Sequence, residues 1–308
     1  MAEKIPLKLV DVGSGIGELR EFEAGDTLPN ALIPALATLS AELSARSRRN
    51  LLINGNYAIN QRVYVSGTAT TGANQYTLDR WRVVVSGQSL TFAAAGNGQQ
   101  ITAPTGGVEQ VVEGLNVAGG VYTLSWQGTA SATVNGTAVT SGGQITLTAN
   151  ANSTVRFSSG TVSKCQLELG ATATPFEFRH YGDELSLCQR YYEKSYPITI
   201  TPGVSHGSSD PRAVGTLKIN NSSNRNMGSQ GFKAEKRVSP TIRYWDQAGN
   251  LSAFTVGTVG GGVQTNNFTG DAFRSIAADE HGVYAHLDAA SVVNPFTAFC
   301  YWEASAEL

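Results

Sequence analysis

The chain has 308 residues, enough for two ordinary domains that each bury a core. Charged residues make up 15%, against roughly 25% in average domains, and 34 glycines accompany many Thr, Ser and Asn, which favours a turn-rich all-β protein over a helical enzyme. A formal net charge of −2 supplies no basic surplus for nucleic acid or anionic lipid, and no apolar run reaches the ~18 residues that span a bilayer.

Cys165, Cys188 and Cys300 are odd in number, widely separated and without a CxxC pair. They offer neither a zinc site nor a disulfide framework and read as buried free thiols. No metal or cofactor is expected. The start, Met1 to Pro6, lacks the charged and apolar parts of a secretory signal, so synthesis in the cytoplasm is expected.

In chain order, Lys8–Val12 predicts a short strand. The following Gly13-Ser14-Gly15-Ile16-Gly17 fails the GxGxxG dinucleotide spacing, because its sixth position is Glu18, and no βαβ unit follows; it reads as a turn. Leu19–Pro29 predicts a strand, a Gly25-Asp26 turn and a Pro stop. From Pro34 the pattern turns helical, with Leu36, Leu39 and Leu43 at i, i+3 and i+7, and with Arg46, Arg48 and Arg49 at the negative end of the helix dipole. A lone helix of ~15 residues is marginal in water and needs a partner, either the first β-region or copies of itself. A short parallel bundle is the sharper of the two expectations.

Residues 50–180 read as a first sandwich. Leu51–Ile53 is a short apolar strand before an Asn54-Gly55 turn, and Tyr76–Val85 alternates with Trp81, Val83 and Val85 on one face. Ser89–Ala94, Val108–Glu113 and Val121–Gln127 follow. Ala132–Val134 and Thr137–Val139 flank Asn135-Gly136, the φ > 0 pair of a type I′ hairpin. Gln144–Thr148, Thr154–Ser158 and Val162–Leu169 complete roughly nine strands at about 8–12-residue spacing, a sandwich or jelly roll. Trp81 and Trp126 lie in alternating apolar strands and are expected in the core rather than as sugar platforms.

Residues 181–196 read as a connecting amphipathic helix with Leu185, Cys188 and Tyr192 on one face, offered to a neighbouring chain or to a sandwich. Five blocks now combine: Asn50–Gly55, Asp79-Arg80-Trp81, Gln166–Gly170, Thr174–Glu177 and Leu187–Ser195. Together they resemble the tail-fibre and receptor-binding proteins of tailed bacteriophages and prophages, and Phe22–Pro29 is similar to a short element near the N-terminus of such fibres. The likeness is strongest over residues 50–195, fair over 1–30 and weak beyond 200, and a long fibrous shaft is missing. It implies a virion protein of the phage tail: a homotrimer, attached through its N-terminal segment to baseplate or tail-tip proteins, that recognises a bacterial surface glycan or pilus. The first sandwich is then expected to be similar to a carbohydrate-binding module.

Beyond residue 197, strands are expected at Ile198–Thr201, Ala213–Ile219, Thr241–Asp246, Ser252–Val256, Val263–Phe268, Ala272–Ala277, Val283–Leu287 and Phe296–Trp302. A polar loop, Asn220 to Gln230, suits a contact surface. Gly203-Val204-Ser205-His206-Gly207 matches G-x-S-x-G but lacks the strand-turn-helix context of a hydrolase elbow. His286 and Asp288 share a face of an extended segment, yet a solvated strand is the stronger reading than a metal site. The contact surface is placed at Tyr244, Trp245 and Asp246 beside the loop carrying Asn224 and Asn226, an aromatic with neighbouring polar groups that suits a sugar face.

The expected architecture is all-β. Residues 1–49 form an attachment segment with one α-helix, 50–180 a first jelly-roll-like β-sandwich, 181–196 a connecting helix, and 197–308 a second β-sandwich as receptor-binding tip, assembled as a trimer. The expected function is non-catalytic host adsorption on a phage tail, with no catalytic residue, no nucleic acid and no membrane insertion. A tail-associated polysaccharide hydrolase and a cellular carbohydrate-binding module are the alternatives.

Overall fold

A computed structural model describes residues 7–11, 17–21, 49–205, 217–220, 226–258, 263–264, 273–287 and 296–308. Their regular structure is nearly all antiparallel β, as the composition predicts. Two compact units are present, residues 1–47 and residues 48–308. In the first, β1 (Leu7–Asp11) and β2 (Gly17–Glu21) form a hairpin with Leu9 opposite Leu19. The Leu36, Leu39 and Leu43 stripe lies outside the described residues.

The larger unit begins with eleven strands: β3 (Gln75–Tyr76), β4 (Arg82–Val83), β5 (Thr91–Ala95), β6 (Gly98–Ala103), β7 (Val108–Val112), β8 (Gly120–Gln127), β9 (Ser131–Val134), β10 (Thr137–Val139), β11 (Gly143–Leu147), β12 (Ser153–Ser158) and β13 (Gly160–Leu169). They make two sheets, in the orders β10-β9-β12-β7-β4-β3 and β11-β8-β13-β6-β5. One core serves both: Val83, Val108, Val155 and Phe157 of the first sheet meet Ile101, Leu124, Val162 and Leu167 of the second. β12 shows the rule at work, with Val155 and Phe157 buried and Thr154 and Arg156 only half-buried, at the period of two that a strand imposes. Each buried side chain of this size contributes about 1.5–3 kcal/mol. The β9–β10 hairpin turns on Asn135 (φ 50°) and Gly136 (φ 82°), the type I′ geometry its sequence predicts.

Two local expectations fail. Leu51–Ile53 is not a strand; its backbone is held by buried side chains, with the Ile53 amide donating to Gln110 Oε1 at 2.8 Å. Tyr76–Val85 is two short strands rather than one. Between them Arg80 takes a left-handed conformation, φ 69°, and the alternation is lost, so Val85 is exposed while Trp81 and Val83 are buried.

The helix α1 (Tyr181–Gln189) ends earlier than predicted, and Tyr192 belongs to the strand β14 (Tyr192–Lys194). Leu185 and Cys188 pack on Ile53, Ile59 and Tyr191 of their own chain. The expected oligomerisation stripe is therefore covered within one chain: Cys188 and Tyr192 are buried there and present nothing to a neighbour.

The remaining strands are β15 (Leu217–Asn220), β16 (Asn226–Gly231), β17 (Thr241–Trp245), β18 (Thr255–Thr258), β19 (Val263–Gln264), β20 (Phe273–Ala278), β21 (Gly282–Leu287) and β22 (Phe296–Ser305). β22 is the organiser, because it is long enough to pair twice along each edge. Ser305 faces both Tyr192 and Thr241, and Phe299 faces both Lys218 and Thr255. A second sheet, β16-β21-β20, shares a small core with it, in which Val283 and Ala285 meet Cys300 and Trp302. The second half of the expected Asn220–Gln230 loop is thus strand β16, and Ile198–Thr201 forms turns instead of a strand.

Candidate functional site

The sequence placed a contact surface at Tyr244, Trp245 and Asp246. The structure puts these residues to other uses. Trp245 is 5% exposed and lies edge-on to Tyr196 at 6.2 Å. Gly203 presses on it so closely that a Cβ there would come 2.8 Å from Trp245 Nε1. Asp246 is 1% exposed, and its carboxylate accepts the Asn250 amide and the Asn250 side chain, both at 2.8 Å, closing a turn. Tyr244 packs on Phe254 at 5.3 Å. This is core and turn, not an open sugar face. Asn226 opens β16 opposite Leu287, and Asn224 lies outside the described residues.

The blocks that carry the family resemblance converge on one buried polar network. Asn54 Nδ2 donates to the Asp79 carbonyl at 3.0 Å, and Trp81 Nε1 donates to the Asn54 carbonyl at 3.1 Å. Asn50 accepts the amides of Leu52 and Leu167, and its own amide donates to Glu177 at 2.7 Å. Glu168 accepts the Thr174 amide at 2.8 Å and pairs with Arg49 at 3.0 Å. Arg190 and Tyr191 both bond Glu113. Buried polar groups need partners, and apart from two guanidinium nitrogens of Arg49 these residues supply one another. The motif is a clasp that joins the two ends of the first sandwich, and its groups are spent on that task.

An open groove of about 750 Å³ lies elsewhere, beside the β5–β6 hairpin. Its lining comes from four places: Asn56, the hairpin tip, the end of β8 with the bulged middle of β13, and the segment 175–178. The tip is pinned, with the Gln99 amide donating to the Asn56 carbonyl at 2.8 Å. Position 98 requires glycine, since a Cβ would come 2.3 Å from the Asn56 carbonyl oxygen. Along 176–178, Glu177 is buried and Phe178 is 54% exposed, with Phe176 half-buried. Hydrogen bonding of Glu177 to Asn50 and Gln166 therefore sets the two rings at the groove.

Around those rings stand the amide side chains of Asn56, Asn97, Gln99, Gln100 and Gln127. The side-chain amides of Asn97, Gln100 and Gln127 make no hydrogen bond among the described residues, and the side-chain carbonyls of Asn56 and Gln99 are buried without a partner there. Primary amides donate and accept together, as sugar hydroxyls do, and an exposed aromatic face suits the C–H face of a pyranose. Sequence reading missed this groove because its parts are distant in the chain. The run Asn97-Gly98-Gln99-Gln100 and the Phe176/Phe178 alternation were its only traces. A smaller hollow of about 280 Å³ is lined by Glu109 and Arg156, which neutralise each other at 2.6 Å.

Other candidate chemistry resolves into structure. Ser205 is exposed in irregular chain that no strand immediately precedes, and His206 and Asp288 lie outside the described residues. Asp279 caps the β20–β21 turn by accepting the His281 and Gly282 amides, and these bonds with the Tyr284 hydroxyl hold its carboxyl below the usual range. All three cysteines are buried and free, and burial pushes the Cys165 thiol up to about 12. Among the described residues no cluster of His, Cys, Asp and Glu is arranged to hold a metal ion, and no helix is long and apolar enough to cross a membrane. No protein-family model matches the chain, and no curated protein matches it significantly.

Proposed function

We propose that the chain is a non-catalytic tail-fibre or tail-tip protein of a tailed bacteriophage or prophage, and that it binds a glycan on the bacterial surface through the groove beside the β5–β6 hairpin. The observation that carries this reading is the groove's lining: unpaired amides around a 54%-exposed Phe178. The family resemblance of the clasp residues and the all-β fold support the same reading. The receptor site belongs on the first sandwich rather than at Tyr244–Asp246, because Trp245 and Asp246 are occupied in packing and turn closure.

In this reading the protein acts as a homotrimer on the virion, joined to baseplate or tail-tip partners through residues 1–49. Three linked sites turn weak single contacts into useful avidity. Purified full-length protein on an array of bacterial surface polysaccharides tests the binding. Retention on at least one polysaccharide, without release of reducing ends, is expected. Released reducing ends replace the binding reading with a hydrolase, and retention on none removes the glycan altogether. Sedimentation of the full chain checks the trimer.

A further inference from the structure

Lys164 supplies the one charged side chain on the groove among the described residues. It sits at a β-bulge: between Ser163 and Gln166, three positions on β13, the partners on β8 move only two, from Gln127 to Ser125. The extra residue bends the strand and re-aims its side chain. Lys164 adopts φ 48°, a left-handed conformation that glycine takes freely and a side chain resists. It is exposed, flanked by the buried Ser163 and Cys165, and its ammonium makes no hydrogen bond or ion pair among the described residues. No carboxylate lines the groove to neutralise it. A lysine therefore stands, at conformational cost, where an unpaired positive charge meets amides and an exposed ring.

We propose that the groove selects an acidic glycan, one with carboxylate-bearing sugars of the uronic-acid kind, by pairing the Lys164 ammonium with that carboxylate while Phe178 stacks on an adjacent ring. The amides of Gln100 and Gln127 then take the hydroxyls, and charge-assisted pairing with Lys164 separates acidic from neutral chains of the same shape. This proposal rests on the glycan-binding reading above and names its ligand class.

The test uses the full chain on the polysaccharide array, with every acidic polysaccharide also printed after chemical reduction of its carboxyl groups to primary alcohols. Wild-type protein and Lys164→Gly are compared. Glycine relaxes the φ 48° position, so this variant keeps or raises the melting temperature and its binding reports the side chain. The expected result is retention on acidic polysaccharides, about tenfold weaker after carboxyl reduction and about tenfold weaker for Lys164→Gly, with no further loss when both changes are combined. Equal binding to reduced and native forms, a preference for neutral chains, or an unchanged profile for Lys164→Gly overturns the acidic-glycan proposal and leaves glycan binding standing. Retention on no polysaccharide overturns both.

Discussion

The guanidinium of Arg80 lies 3.5 Å from the centroid of the Tyr191 ring, which ties the first pair of sheets to the chain that leads into β14. Arg80 is fully buried, pairs with Glu307 after β22, and donates to the Val111 carbonyl at 2.7 Å. Arg62 repeats the device, stacking at 3.7 Å on Tyr192 and pairing with Glu307 at 3.1 Å. A planar guanidinium stacks with its face while its edge makes directional, fork-like hydrogen bonds, a combination that a compact ammonium does not reproduce. Arg80→Ala leaves Glu307 with one buried partner fewer and bares the Tyr191 ring. A loss of about 3–5 kcal/mol in urea-monitored stability is expected, with Arg80→Lys recovering less than half. A loss below about 1 kcal/mol for Arg80→Ala contradicts the clasp.

Buried groups oppose one another in alkali. Burial lowers Lys194 to about 8 against an ordinary 10.5, although Asp79 and Glu303 pull the other way. The unfolded chain therefore binds the extra proton between these values, and this group adds stability as pH rises from about 8 to 10.5. Cys165, pushed by burial from 9.0 to about 12, does the reverse: its contribution is full below pH 9 and is lost as pH climbs toward 12. Cys188 and Cys300 are raised in the same direction by burial and act in the same sense. Wild-type stability is expected to fall above pH 9. Lys194→Met removes the offset, so its stability, measured by denaturation at stepped pH, lacks the wild-type rise between pH 8 and 9 and falls more steeply from pH 9 to 10.5.

The same burial governs thiol chemistry. Cys165, Cys188 and Cys300 are fully buried and unpaired with each other. A thiol reagent at pH 8 is expected to modify none of them in the folded protein and all of them in denaturant. Fast labelling of any one in native buffer contradicts this packing.

Gly98 anchors the groove's hairpin. A Cβ at this position meets the Asn56 carbonyl oxygen at 2.3 Å, a backbone atom that yields only if the β5–β6 tip moves. Gly98→Ala is expected to lower stability by about 1–3 kcal/mol and to weaken glycan retention along with it. Gly136→Ala, where a Cβ meets nothing within 4 Å but φ is 82°, strains one turn residue without reaching the groove, and it leaves retention unchanged.

The strands of the first sandwich were legible because inward and outward positions alternate, as in Thr154–Ser158, and because Asn135-Gly136 spells its own turn. Local code also placed β17, β21 and most of β22. What misled was chemistry decided by distant partners. Trp245 looks like a sugar platform until β22 and Gly203 bury it. The stripe of Leu185 and Cys188 looks unpartnered until Ile53 and Ile59 cover it. Asp79, Arg80 and Gln166 are polar yet buried, held by Gln61, the Val111 carbonyl and the Glu177 amide, partners that pattern alone does not name. The groove leaves only the Asn97–Gln100 run and the Phe176/Phe178 alternation as local traces, since its amides and its rings meet only after the sandwich closes.

Titration calorimetry of an array-selected polysaccharide against wild type and Phe178→Ala tests the central claim most directly. Phe178 is more than half exposed, so its removal should leave the melting temperature within a degree or so of wild type. The account predicts that Phe178→Ala binds at least about tenfold more weakly than wild type. Equal affinity of the two proteins, with the fold intact, contradicts a glycan site in this groove.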